Sequence, residues 1–207
     1  MATTAVRPGP IRRAFGIDRE KAYSIVLSEV DAPRYKKLTF LLWNSEFHCV
    51  AAYRFGQYAS ELRRRNPLLG ALAIGIHRVA NRWLTHIDHT EISSGARIGP
   101  GLLLMHRHGV LIGPVVIGKN CVLHQNVTIG QRVARGDQRV PRIGDNVWIG
   151  PGAVITGPIT VGNGVTISAG TVLSKDVPSG CLVAGNPGRV VARNYDNSDM
   201  LNFKAPE

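Results

Sequence analysis

The sequence predicts a mainly β protein: a parallel β-helix wound from six-residue repeats and preceded by an α-helical cap. Three observations carry that prediction. From Ile143, steps of six land on Ile149, Ile155, Val161, Ile167 and Leu173. With 54 Ile, Leu and Val among 207 residues, six such positions would coincide by chance about once in four thousand trials. Glycine follows the apolar residue in Ile98-Gly99, Ile117-Gly118, Ile129-Gly130, Ile143-Gly144, Ile149-Gly150 and Val161-Gly162. Between Arg34 and Leu84, in contrast, apolar residues recur at three and four, which is the helical period.

The elements follow in chain order. Residues 1–30 read as a tail, ordered in part at most. Residues 31–90 read as an α-helical unit of two or three amphipathic helices, broken at Asn66-Pro67. Its basic run Glu61 to Arg65 reads as a solvated helix end, where cations suit the dipole; a membrane-surface or acidic-partner patch is the alternative. From residue 91 to 176 the six-beat holds, earlier as Ile92, Ile98, Leu104, Val110 and again as Ile117, Leu123, Ile129. Each hexad is one short strand and a turn, with the apolar residue inside and glycine at corners where φ is positive. Each coil covers the edge of its neighbour, so only the ends need caps. Residues 177–207 form the second cap. A sandwich would instead need alternation at two. The run is interrupted between residues 131 and 142 by a polar, arginine-rich stretch, an excursion loop of the kind that carries function on a rigid scaffold.

Composition bounds the rest. At 44% apolar and 19% charged residues, the chain is neither disordered nor an integral membrane protein. Cys49, Cys121 and Cys181 are odd in number and widely spaced, against a disulfide scaffold or a cysteine zinc site. The formal charge is +11, with 14 basic and 7 acidic residues in 1–90 and 11 and 7 in 91–207. No nucleic-acid signature accompanies it, so a nucleic-acid partner is not expected. Neither an apolar leader nor a stretch long enough to span a bilayer is visible, and the expected location is cytoplasmic.

The ordered strings AAYRFGQY, EISSGARIGPGLLLMHRHGVLIG, HQNVTIG, GDQRVPRIGDNVWIGPGAVITG and KDVPSGCLVAGNPGRVV span about residues 31 to 193. Together they resemble the hexapeptide-repeat acyltransferases, and most of all their serine O-acetyltransferase branch. The resemblance implies a left-handed β-helix, a homotrimer with active sites between subunits, and acetyl-CoA as donor and co-substrate, with no metal. It leaves open whether two trimers pair.

Position by position, the resemblance places the catalytic general base on His106 and its acidic partner on Glu91, where the family has aspartate. A neutral histidine takes the acceptor hydroxyl proton, and a carboxylate on its other ring nitrogen fixes the tautomer. On the acceptor side it places Arg139, suited to a bidentate carboxylate contact, with Asp31 near the end of the cap. Two positions depart from the family: Met105 stands for an aspartate and Val140 for a histidine, so the acceptor pocket is less polar and serine itself is in question. His124 reads as packing or as pocket lining. On the donor side the matching positions are Gly130 and Ala169, whose small size lets a pantetheine arm lie against the coil. Lys175, Arg189 and Arg193 are candidates for the CoA phosphates.

The expected function is therefore acetyl transfer from acetyl-CoA to the hydroxyl of serine or a serine-like, carboxylate-bearing compound. A sugar, polysaccharide or natural-product hydroxyl is the alternative acceptor. Two further readings fit less well. A zinc carbonic anhydrase of the same fold would use His106, His108 and His124, but the helical cap, the arginine loop and the GNP corner fit it badly. A non-catalytic scaffold is opposed by the retention of His106, Glu91 and Arg139.

Overall fold

The computed structural model describes residues 11–27, 33–132 and 139–201. Four helices precede the coils: α1 (Ile11–Val26), α2 (Arg34–Trp43), α3 (Ser45–Arg65) and α4 (Pro67–Asp88). The first is an ordered part of the stretch at 1–30 that reads as a tail. Its buried side includes Ala14, Ile17 and Ala22, and the three-and-four spacing is completed by Asp18 and Lys21. Those charged residues hide the helical stripe from a hydropathy reading. The breaks between the later helices are local chemistry. The Asn44 side chain accepts from the Phe47 N–H at 2.8 Å to start α3, and Asn66 accepts from Leu69 N–H at 3.1 Å to start α4. Pro67 then occupies the first turn, where its missing N–H costs nothing.

The coils have three short strands each. The first holds β1 (Glu91–Ile92), β2 (Arg97–Ile98) and β3 (Leu103–Met105); the second β4 (Leu111–Ile112), β5 (Val116–Ile117) and β6 (Val122–His124). The third holds β7 (Thr128–Gly130), β8 (Arg142–Ile143) and β9 (Trp148–Ile149); the fourth β10 (Val154–Thr156), β11 (Thr160–Val161) and β12 (Thr166–Ile167). β13 (Val172–Leu173) and β14 (Cys181–Ala184) begin a fifth turn, and β15 (Arg189–Arg193) pairs antiparallel with β14 as the closing edge. Three parallel faces result, in the orders β1-β4-β7-β10-β13, β2-β5-β8-β11 and β3-β6-β9-β12-β14. The fold is the parallel β-helix that the six-beat predicts.

Register shows why the beat is six. Ile98 stacks on Ile117, Ile143 and Val161 in turn, and Leu104 on Leu123, Ile149 and Ile167. Residues Ile117 to Leu173 of the beat are at most 4% exposed and share one core. Ile117 and Ile143 are 26 positions apart whereas Ile143 and Val161 are 18 apart, so the loop after β7 adds eight residues without disturbing the stack.

The glycines that follow the inward residue do not adopt positive φ as expected. That conformation falls on a different set, among them Gly109, Gly152, Gly164, Asn120 and Asn146. Close approach requires the first set apart from Gly130: a Cβ on Gly99 would stand 2.7 Å from the Gly118 carbonyl carbon of the next coil. Beside them runs a ladder of side chains capping the coil above, with Lys119 N–H donating to Asp145 Oδ1, Asp145 N–H to Asn163 Oδ1, and Asn163 N–H to Ser179 Oγ. All three cysteines are buried and unbridged.

A second apolar layer lies outside the coils. Ala22 and Tyr23 of α1, Phe40 of α2 and Phe47 of α3 pack with Leu103, Val122 and Leu201, the last on the terminal helix α5 (Ser198–Leu201). Met105 and Trp148 join its edge. Beneath it a buried polar network bolts the helices to the first coil. Arg54 Nε donates to Asp18 Oδ2 at 2.7 Å and its other nitrogens donate to the Ile98 and Gly99 carbonyls. Asp18 Oδ1 accepts from Gly101 and Leu102 N–H. Lys21 Nζ donates to Asn120 Oδ1 at 2.6 Å and to the Gly101 carbonyl, and Tyr53 Oη donates to the Ala96 carbonyl.

Candidate active site

Strand alternation divides β3 between two layers. Leu104 points into the coil core while Leu103 and Met105 face the helices. His106 follows immediately with φ +53, the left-handed region, which non-glycine residues seldom adopt and which clusters at functional positions. That turn leaves His106 exposed and carries Arg107 inward. Thr90, just before β1, holds the turn by donating from Oγ1 to the Arg107 carbonyl.

A cavity of about 210 Å³ opens beside it, between α1, α3 and β3. Ala22 and Val26 form one wall, Phe47 and Met105 another, and His106 stands at the same rim as Glu46. Asn44 orients Glu46: its Nδ2 donates to Glu46 Oε2 at 2.9 Å while its Oδ1 caps α3. The cavity thus joins a histidine, the carboxylates of Glu46 and the Arg54-paired Asp18, and apolar walls, which suits an acceptor with a hydroxyl on a small carbon frame.

His124 occupies the next coil in register with Met105, its ring 4.8 Å from that of Trp148. Burial, and then the charge of His106, push its pKa below the ordinary histidine value, so it remains neutral near pH 7. The other expected positions are distributed around this centre. Glu91 is exposed at the start of β1, and no hydrogen bond among the described residues joins it to His106. Arg139 is exposed where the loop returns, while Val140 turns inward onto the coil core. Asp31 lies outside the described residues. Gly130 ends β7, and a Cβ there would meet nothing within 4 Å. That leaves open room along the backbone for a narrow chain. Ala169, Lys175, Arg189 and Arg193 are exposed on the later turns. Among the described residues of the single chain no three His, Cys, Asp or Glu side chains are grouped to hold a metal.

Sequence reasoning missed Glu46 and the α1 wall. Glu46 carries no motif; the Asn44-x-Glu46 spacing at a helix start is its local signal. The signal for α1 was the spacing Ala14, Ile17, Ala22, Ile25, interrupted by charge.

The family described as bacterial transferase hexapeptide (six repeats) matches residues 141–175. A serine acetyltransferase of Bacillus licheniformis is 37% identical over 170 residues, covering 82% of this chain and 74% of that protein. The chain belongs to the serine acetyltransferase family. Another family member, from Synechococcus elongatus, is 38% identical over 149 residues, or 64% of this chain and 61% of its own length. The chain thus spans about three fifths of that relative. Among solved structures, the Brucella abortus serine acetyltransferase in complex with coenzyme A superimposes with a TM-score of 0.71 at 27% identity, covering 88% of this chain and 68% of that one. The Neisseria gonorrhoeae serine acetyltransferase in complex with serine gives 0.68 at 28% identity, covering 88% and 69%. Met105, the residue before His106, packs against the helical layer.

Proposed function

We propose that this chain is an acetyl-CoA-dependent O-acetyltransferase acting on the hydroxyl of serine or a serine-like, carboxylate-bearing acceptor, with His106 as general base. The observation that carries it is His106 at the rim of the α1–α3–β3 cavity, in a chain whose relatives include one solved with coenzyme A and one with serine. Acetyl-CoA supplies an acetyl thioester. His106 accepts the acceptor hydroxyl proton as the oxygen bonds to the acetyl carbonyl, and gives it to the CoA sulfur as the carbon–sulfur bond breaks. Arg139 meets the acceptor carboxylate, in a homotrimer whose sites lie between subunits. Gly130 and Ala169 line the path of the pantetheine arm, and Lys175, Arg189 and Arg193 neutralise phosphates.

One observation favours a second acceptor class. Met105 and the largely apolar walls of the cavity, whose carboxylates are Glu46 and the Arg54-paired Asp18, leave room for a bulkier alcohol or sugar hydroxyl. Thiol release from acetyl-CoA with serine, other hydroxy-acids and sugars distinguishes the two. Turnover with the carboxylate-bearing compounds is expected; no turnover with any acceptor, together with no CoA-dependent rise in melting temperature, would overturn acetyl transfer altogether.

A further inference from the structure

Helix α4 turns its more apolar face to solvent. The side that packs inward is small and polar: Gly70 lies against the Arg63 backbone, His77 against Gly56 of α3, and Leu84 against the coil core. On the opposite side Leu68, Leu69, Leu72, Ile76, Val79 and Trp83 are each 55–85% exposed. At 100° per residue these six fall within an arc of about 100°, a continuous apolar stripe along a helix about 33 Å long. A helix packed on a core normally buries such a stripe, and an exposed one of this size marks an interaction surface.

The charge around the stripe selects the partner. From Leu62 to Ile87 the chain has five arginines and no aspartate or glutamate, with Glu61, paired to Arg65 at 2.5 Å, and Asp88 at its two ends. Arg63, Arg64 and Arg65 are exposed at the tip of the α3–α4 hairpin, beside Leu68 at 85% exposure, and Arg78 and Arg82 border the stripe. Pairing this face with the same face of a second copy would bring Arg63, Arg64, Arg78 and Arg82 of both together, with Glu61 already taken by Arg65, which like-charge repulsion opposes. An anionic bilayer meets both features at once, taking the apolar side chains into its interface and the guanidinium groups onto its phosphates. No helix among the described residues is long and apolar enough to cross a membrane, so α4 lies in the interface plane.

We infer that the α3–α4 hairpin is a docking surface for an anionic membrane, with the Leu68–Trp83 stripe inserted at the headgroup boundary and Arg63, Arg64, Arg78 and Arg82 on lipid phosphates. Flotation of the full chain with phosphatidylcholine vesicles, with and without about 30% phosphatidylglycerol, tests it. Binding to the anionic vesicles is expected, at least about tenfold stronger than to neutral ones and weakened by high salt. Leu72→Glu with Ile76→Glu removes it, and so does Arg63→Gln with Arg64→Gln at an exposed tip where folding is not at stake. Absence of binding to the anionic vesicles overturns the inference, as does binding that neither pair of substitutions changes. A loss of oligomeric mass in Leu72→Glu/Ile76→Glu, with no vesicle binding by the parent, assigns the face to a second copy and overturns it equally.

Discussion

The Arg54 guanidinium meets the Asp18 carboxylate at 2.7 Å with both side chains out of solvent, and each also hydrogen-bonds the backbone of the first coil. Burial pushes the Asp18 carboxyl up, while Arg54 and the Leu102 and Gly101 N–H groups pull against that shift. Removing one partner strands the other charge. Arg54→Met is expected to cost about 3–5 kcal/mol, read as a fall in the urea midpoint, and to release α1 and α3 from the coil that carries His106. A change under about 1 kcal/mol would show that the pair does not hold the cap in place.

Lys21 sets a pH dependence. Burial lowers its pKa to about 8, against the opposing pull of Cys121 and Asp18, whereas an unfolded lysine holds its proton to about 10.5. Above pH 8 the unfolded state therefore binds more protons, and stability rises with pH. Cys121 acts in the opposite sense from 9.0 upward, because burial pushes its thiol up to about 11. The melting temperature is expected to rise between pH 8 and 9, by the equivalent of up to about 1 kcal/mol, and then to level. Lys21→Met should abolish the rise; a parent protein with no rise would contradict a buried Lys21 ammonium.

His106→Ala is expected to lower turnover by roughly 10² to 10⁴ while leaving the melting temperature within a degree or two, because the side chain is exposed. Single-turnover thiol release measures the first and calorimetry the second. Parent-like turnover would move the base elsewhere, with His108 the next candidate.

Met105→Asp separates packing from specificity. Met105 packs at the edge of the helical layer, so a carboxylate there should cost about 1–3 kcal/mol. The same change should raise kcat/KM for serine relative to sugar acceptors. If the ratio is unmoved, Met105 does not contact the acceptor.

Two glycines on the coils should respond differently to one added methyl. Gly99→Ala drives a Cβ to 2.7 Å from the Gly118 carbonyl carbon and is expected to destabilise by about 1–3 kcal/mol. Gly130→Ala meets nothing within 4 Å, so stability should hold while KM for acetyl-CoA rises several-fold. An unchanged KM would remove Gly130 from the donor path.

What could be read from the sequence was what repeats locally. The beat from Ile117 to Leu173 was legible because each coil solves the same packing problem, placing one aliphatic side chain over the last, and the cap helices were legible wherever their stripes were apolar. His106 stood out through its surrounding string. Sequence alone left α1 unread because Asp18 and Lys21 occupy its buried stripe, and charged residues become core residues only when a distant partner satisfies them. Those partners are Arg54, Gly101, Leu102 and Asn120, as many as 99 positions away. The tertiary structure likewise decided that Met105 faces the helices, that Val140 turns into the core, that Glu46 joins the rim of the cavity, and that the apolar stripe of α4 faces outward. Each of these depends on which surface the chain brings opposite a side chain, a long-range matter that local spacing does not encode.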